Sequence, residues 1–373
     1  MGGRIAILCH GGGGGSTRAA MDLAAALARR GAAVLLLTLG RPAWRPPAGV
    51  DHVVLRAARP RRDRLDRPWA DGTVAALARE VDAICRRERV ALLHFHYAFP
   101  FAAVAARLGP SGPAVIGTLH GSDVTAAADP ATATGLARDL ARAAAVTTVS
   151  EAYGRLLRRH LDRAAPVVVP NFVAPGRAMG PGGGRSRPGG PPTLLHVSSF
   201  RAVKDARAIA RVFLAVRRQI RCRLVLVGDG PQAGGLRALL RARARDVRLL
   251  GFRPEVAPLL RQADVFLLAS RAESFGLAAL EAMTAGVPVV APAVGGLPEV
   301  VGPGGVLFAP GRVAAAAAAI VALLHDPVRR RRIAVAARRA AARFDADAIL
   351  DRWEALYAAA LTHPRAVPAG AAR

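Results

Sequence analysis

The chain has 373 residues, 52% of them hydrophobic but only 5% aromatic, with 53 basic against 26 acidic side chains and a formal charge of +27. That length exceeds one ordinary core, so two domains are expected, and the apolar content excludes a disordered chain. The charge by itself would suggest nucleic acid or an anionic membrane. Its arginines, however, are spread over most of the predicted helices and in short runs such as Arg61-Arg62, Arg158-Arg159, Arg241 to Arg245 and Arg329 to Arg332. No aromatic-interleaved basic stripe accompanies them, so they read as solvated faces, and nucleic acid is not an expected partner.

Short apolar runs alternate with helical patterns, as in a parallel α/β protein. The first half offers strands at Ile5 to Leu8, Val34 to Thr38, His52 to Leu55, Leu92 to Phe95, Val115 to Thr118, Val146 to Val149 and Val167 to Val169. Helical patterns run from Arg18 to Arg30 and from Val74 to Arg87. Residues 174–192 are mostly Gly, Pro and Arg, cannot pack, and read as a linker. Beyond it, strands are expected at Leu194 to Val197, Arg223 to Val227, Val247 to Leu250, Val265 to Ala269, Val287 to Ala291 and Val306 to Phe308. Helices are expected at Arg207 to Arg218, Gly234 to Arg245 and Leu277 to Ala285, and an amphipathic one from Asp345 to Leu361.

The expected division is therefore a first domain over 1–173, the linker over 174–192, a second domain over 193–345, a C-terminal helix over 346–361 and a flexible tail over 362–373. Two doubly wound, Rossmann-like domains facing a cleft is the economical architecture, with ligands beyond the carboxyl ends of the strands. Cys9, Cys85 and Cys222 lie far apart without disulfide or metal spacing. Met1-Gly2-Gly3-Arg4 leads straight into a strand without a signal-peptide pattern. The apolar run Val313 to Leu324 is shorter than the ~20 residues a bilayer needs. A cytoplasmic protein with no transmembrane segment is expected. The sequence leaves its oligomeric state open, a homo-oligomer included.

Among the 53 basic residues only one is lysine, Lys204, beside Arg201 in the segment Ser198 to Asp205. An ammonium is a compact charge with three rotatable donors, suited to a crowded phosphate pocket where an arginine is already present. The turn His10 to Thr17 holds five consecutive glycines before a helix, so its amides can approach a phosphate or carboxylate, though a merely flexible turn would look the same. It has neither the GxGxxG spacing nor the Lys-Ser/Thr of a P-loop. His94-Phe95-His96-Tyr97 ends a strand and either faces the cleft or joins an aromatic core. His120-Gly121-Ser122-Asp123 ends the next, where a sugar-binding or acid–base role competes with a structural one. In the second half Gly228-Asp229-Gly230-Pro231 follows a strand. Glu273 closes another, Glu281 lies about two turns into the following helix, and Ser274 to Leu277 offer amides to an anion. Gly295-Gly296-Leu297-Pro298-Glu299 supplies one more amide-rich turn.

Taken together, the glycine loop, the HGSD segment, Val149-Ser150, Pro170-Asn171-Phe172, the Arg201/Lys204 pair, GDGP, Glu273-x7-Glu281 and GGLPE resemble the retaining glycosyltransferases of family 4, of GT-B fold, over nearly the whole chain. Within that family the stretches HFHYAFP, TLHGSDVT and HVSSFRAVKD resemble members that glycosylate L-malate. The straight run of glycines, Thr17 in place of a further glycine, and the linker composition depart from the pattern. The resemblance implies transfer of GlcNAc from UDP-GlcNAc to the malate hydroxyl with retention, and a C-terminal helix packed back on the first domain. It implies catalytic roles for His120, Arg201, Lys204 and Glu273. Donor contacts would come from Gly15, Arg201, Lys204, Ser274, Phe275, Gly276, Leu277 and Glu281. Acceptor contacts would come from Gly14, Ser16, Thr17, Tyr97 and Thr118, plus an arginine the sequence does not single out. The resemblance implies neither metal nor cofactor, and a domain closure that would align the substrates. Competing readings are a relative with an inositol phosphate, polysaccharide or lipid acceptor, a sugar-nucleotide sensor, and a basic nucleic-acid-binding protein. The last leaves Glu273-x7-Glu281 without a purpose.

Overall fold

The computed structural model describes residues 3–58, 67–161, 166–174 and 190–364. The expectations for Arg61-Arg62, for most of the linker and for most of the tail lie outside the described residues. The chain divides into two compact units, one made of residues 1–174 with 346–373, the other of residues 175–345.

In the first unit β1 (Arg4–His10), β2 (Val34–Leu39), β3 (Asp51–Leu55), β4 (Val90–His96), β5 (Ala114–Leu119), β6 (Ala145–Thr148) and β7 (Val167–Val168) form one sheet, in the order β3-β2-β1-β4-β5-β6-β7. Every pairing is parallel. Parallel neighbours need crossovers, which lay helices on both faces and bury the central strands on both sides. That is why β1 reads as an unbroken apolar run, with Ile5 to Cys9 no more than 2% exposed.

The second unit repeats the plan with β8 (Thr193–Val197), β9 (Arg223–Val227), β10 (Val247–Leu249), β11 (Val265–Leu267), β12 (Val289–Pro292) and β13 (Gly305–Phe308), ordered β10-β9-β8-β11-β12-β13. Its pairings are parallel as well. Both sheets are doubly wound, as the sequence pattern implies. In each, strand order reverses once, between β1 and β4 and between β8 and β11. A crevice opens beyond the strand ends at such a reversal, and ligands bind there.

Local chemistry sets the helix boundaries. Ala206–Arg217 buries Ile209, Val212, Phe213 and Val216 on one face and starts at Asp205, whose side chain accepts from the amide of Ala208 at 3.1 Å. Such a cap contributes about 1 kcal/mol. The helix expected over Gly234 to Arg245 is shorter: Ala233–Leu240 is helical, and Arg241–Asp246 continues as a 3-10 turn with Arg243 off helical angles. After Leu240 there is no apolar face to bury, and Arg241 and Arg245 stand one turn apart with like charge.

The C-terminal helix Ala346–Thr362 packs against β4, β5 and the helix Gly15–Arg29. Trp353, Leu356 and Tyr357 are 4%, 0% and 0% exposed there. Burying three such side chains contributes several kcal/mol, on the order of 2 each. Arg30 adds contacts to Asp347, Asp351 and Glu354 at 3.0, 2.6 and 3.2 Å. These are exposed pairs, so they fix the register of the helix more than they stabilise it. Among the described residues, no helix is long and apolar enough to cross a membrane.

Candidate functional site

In the first unit the polar residues collect where β1, β4 and β5 end. The helix Gly15–Arg29 starts at Gly14 with no side-chain cap, so the amides of its first turn lack intrahelical acceptors. A Cβ at Gly11 would lie 2.2 Å from the carbonyl oxygen of Gly40, whereas Gly12, Gly14 and Gly15 have open space at that position. Gly11 is therefore required by packing, and the later glycines leave room above the helix start. Thr17, 2% exposed, turns its hydroxyl back to donate to the carbonyl of His10 at 2.8 Å, tying helix to strand.

His94 and His96 stand two apart on β4 and so share a face of the sheet. Tyr97 follows with φ 89°, a strained value for a non-glycine residue. Its amide donates to Thr118 at 2.8 Å and its hydroxyl meets Ser122. Thr118, 1% exposed, has its hydroxyl engaged by His94 Nε2 at 2.6 Å and Thr147 at 2.7 Å. His94 Nδ1 in turn meets the Tyr357 hydroxyl at 2.7 Å. The C-terminal helix thus reaches the layer beneath this site, a contact that a single sequence pass does not reveal.

The HGSD turn divides its labour. Asp123 is 0% exposed and accepts from the amides of Ala98 (3.0 Å), His120 (3.0 Å), Gly121 (2.7 Å) and Val124 (3.1 Å). It is a clamp that joins the ends of β4 and β5, the structural one of the two roles that the sequence leaves open. Burial pushes its carboxyl upward, opposed by those four bonds. His120 is 9% exposed, with Nε2 2.9 Å from His96 Nδ1. Burial pushes His120 down to about 3 and His96 well below the usual range, the latter helped by the neighbouring His94 and His120.

In the second unit the crevice residues come from the ends of β8 and β11. Gly228, at φ 127°, lets the GDGP turn approach so closely that a Cβ would lie 1.8 Å from the Ser198 carbonyl oxygen. Phe200 and Asp229 then close the gap with an amide–carbonyl bond of 2.9 Å. The 3-10 turn Ala202–Lys204 carries Lys204 across the reversal point, where its Nζ donates to Glu273 Oε2 at 2.5 Å. Those side chains are 22% and 14% exposed. Asp205 anchors the same turn by accepting from Arg271 at 3.0 Å. Arg201 is exposed beside it and makes no side-chain hydrogen bond among the described residues.

Gly276, at φ 98°, opens the helix Leu277–Thr284, and a Cβ there would meet Leu297 at 2.6 Å. The amide of Gly296 donates to the Glu273 carbonyl at 2.9 Å, so the GGLPE turn braces the loop that carries Glu273. Phe275 is 2% exposed and packs on Phe344 with ring centroids 5.3 Å apart, leaving its backbone as the group on offer. Glu281 falls on the fifth residue of its helix, about one turn in and not two, on the side of Leu277.

The residues expected to hold the donor are thus gathered in the second unit, apart from Gly15, which opens the first helix of the first unit beside the acceptor set. Among the described residues no group of three or more His, Cys, Asp or Glu is arranged to hold a metal ion.

The chain is 31% identical over 247 residues to the N-acetyl-alpha-D-glucosaminyl L-malate synthase of Bacillus anthracis, covering 61% of this chain and 62% of that protein. It is 43% identical over 106 residues to the D-inositol 3-phosphate glycosyltransferase of Streptomyces coelicolor, covering 26% and 23%. The chain therefore matches about three fifths of the first relative's length and about a quarter of the second's. In fold it is similar to sucrose-phosphate synthase from Thermosynechococcus elongatus, with a TM-score of 0.80 over 97% of this chain and 100% of that one, at 22% identity. Residues 13–177 match the profile described as Glycosyltransferase Family 4, and residues 191–326 the one described as Glycosyl transferases group 1. With both halves matched and the GT-B architecture in place, the chain belongs to the family 4, group 1 glycosyltransferases.

Proposed function

We propose that the chain is a retaining glycosyltransferase that moves GlcNAc from UDP-GlcNAc to the hydroxyl of L-malate. The observation that carries the donor half is the Lys204–Glu273 contact, which joins residues 69 apart in sequence at the reversal point of the second sheet. Lys204 and Arg201 neutralise the charge that develops on the departing diphosphate, in place of a metal ion. The amides of Ser274 to Leu277 receive phosphate oxygens, and Glu281 accepts the two ribose hydroxyls. Glu273 orients Lys204 and holds a sugar hydroxyl. The bond from the anomeric carbon to UDP breaks on the face that the malate hydroxyl attacks, through an oxocarbenium-like state. A phosphate oxygen of the leaving UDP takes the malate proton, giving the α-glycoside and UDP.

Malate as acceptor is supported by the likeness to the Bacillus anthracis synthase and by the HFHYAFP strand end. Its carboxylates are matched by the open amides at Gly14 to Thr17 and by Tyr97. The identity to the D-inositol 3-phosphate glycosyltransferase favours inositol phosphate as a second reading of the acceptor. Product analysis separates the two: the malate reading requires an α-linked N-acetylglucosaminyl malate, and an inositol adduct instead would replace it.

For the donor half, Glu281→Ala is expected to weaken UDP binding by roughly 10- to 100-fold, the loss of hydrogen bonds to a charged group. Titration calorimetry reads this directly, and native UDP affinity in the variant would remove Glu281 from the nucleotide site.

A further inference from the structure

Among the described residues, the histidines of the first unit include one buried nitrogen without a partner. His96 is 3% exposed, and its Nε2 is fully occluded with no hydrogen-bond partner, while its Nδ1 lies 2.9 Å from His120 Nε2. The two rings are 25° from coplanar, with centroids 5.1 Å apart, so the contact runs close to both ring planes. From the other side His94 covers His96 with centroids 4.3 Å apart, and His94 is itself held by Tyr357 and Thr118. The His96 ring has no freedom to turn away.

A hydrogen bond between two neutral imidazoles contains one proton, and its position fixes both tautomers. If His120 donated from Nε2, His96 would carry its own proton on Nε2, an occluded N–H facing no acceptor. If His96 donates from Nδ1, the unpartnered atom is a bare lone pair instead. Buried N–H groups without an acceptor are the rarer and costlier case. The second arrangement therefore holds, and it leaves the proton of His120 on Nδ1. That nitrogen has no hydrogen-bond partner among the described residues, and His120 is 9% exposed against 3% for His96.

We infer that His96 is a positioning residue that locks His120 into the Nδ1–H tautomer, so that His120 presents a hydrogen-bond donor to an oxygen acceptor of the bound substrate. The ligand group it takes is a hydroxyl or carboxylate oxygen. His120 does not act as a base in this state, because its lone pair is engaged by His96. The role deepens the reading above and depends on it only in that His120 faces a substrate.

Ring-15N-labelled histidine spectra of the whole protein test the tautomer without any substrate, with His96→Asn and His120→Asn assigning the signals. The expected result is two neutral rings, each protonated on Nδ1. A proton on Nε2 of His120, or an imidazolium at neutral pH, would overturn the assignment.

Kinetics test the consequence. The amide of Asn at 96 reproduces a donor at the Nδ1 position, whereas Gln reaches the Nε2 position and Phe reproduces neither. His96→Phe and His96→Gln are expected to lower kcat by roughly 10- to 100-fold, with KM for UDP-GlcNAc little changed, and His96→Asn to recover most of it. Native kcat in the Phe variant, or an Asn variant as slow as Phe, contradicts the role. Should the Phe variant fail to fold, the spectra still decide. Absence of malate turnover in the wild-type protein would count against the acceptor reading alone, since the tautomer is read without malate and kcat can be taken with whichever acceptor works.

Discussion

Lys204→Ala is expected to lower turnover by roughly 10²–10³-fold, the range for removing one preorganised group that stabilises transition-state charge. Stability should fall by no more than about 1 kcal/mol, because the Lys204–Glu273 pair is partly exposed and Ser270 remains 3.4 Å from the same carboxylate oxygen. The sharper test is Lys204→Arg. Everywhere else this chain uses arginine for its positive charge, so a site tolerant of arginine would have no reason to keep the lone ammonium. Lys204 Nζ sits 2.5 Å from Glu273 Oε2 in a turn already pinned by Asp205 and Arg271, which leaves little width for a planar guanidinium. Turnover in Lys204→Arg should fall at least about tenfold. Wild-type rates in that variant, measured as UDP release, would reduce Lys204 to a surface charge.

Mild acid should unfold the first unit before the second. Burial lowers His10 to about 4, His94 and His120 to about 3, and His96 well below the ordinary value, all in the first unit. The second unit has His196 in the same position, at about 4. A histidine whose folded pKa lies below its unfolded value contributes stability above about pH 6.5, and that contribution is lost as pH falls toward the folded value, because only the unfolded chain binds the proton. Each such group contributes a slope of about 1.4 kcal/mol per pH unit. Four together remove on the order of 5 kcal/mol by pH 5.5, comparable to the whole stability of a marginal domain. All three tryptophans, Trp44, Trp69 and Trp353, belong to the first unit, so their fluorescence reports it alone while circular dichroism follows both. The fluorescence transition should precede the loss of ellipticity between about pH 6 and 4.5. Coincident transitions, or none above pH 4.5, would mean that these rings are not held neutral by burial.

Much of this was readable from the residues because the buried parallel strands leave unbroken apolar runs, and because turns that need close backbone approach leave glycines. Gly228 and Gly276 are such positions, and the loops they shape carry the donor residues. Less legible was how the charges pair. Asp123 has the sequence appearance of a reactive group, yet its carboxylate is enclosed by amides from two strand ends, which no local pattern encodes. The helix start at Leu277 is as expected, but Glu281 lies one turn in and not two, since the loop after Glu273 consumes half the spacing. The contact between His94 and Tyr357 spans 263 residues and is invisible without the fold. A signal for His96 did exist: its two-residue spacing from His94 puts both on one face of a buried strand, where polar rings need partners.

Transfer to malate is decided by following UDP release from UDP-GlcNAc with L-malate, with inositol phosphate and with no acceptor, each in the presence of EDTA. The expected release depends on malate and resists EDTA. Release that needs inositol phosphate in place of malate, or that EDTA abolishes, would contradict it.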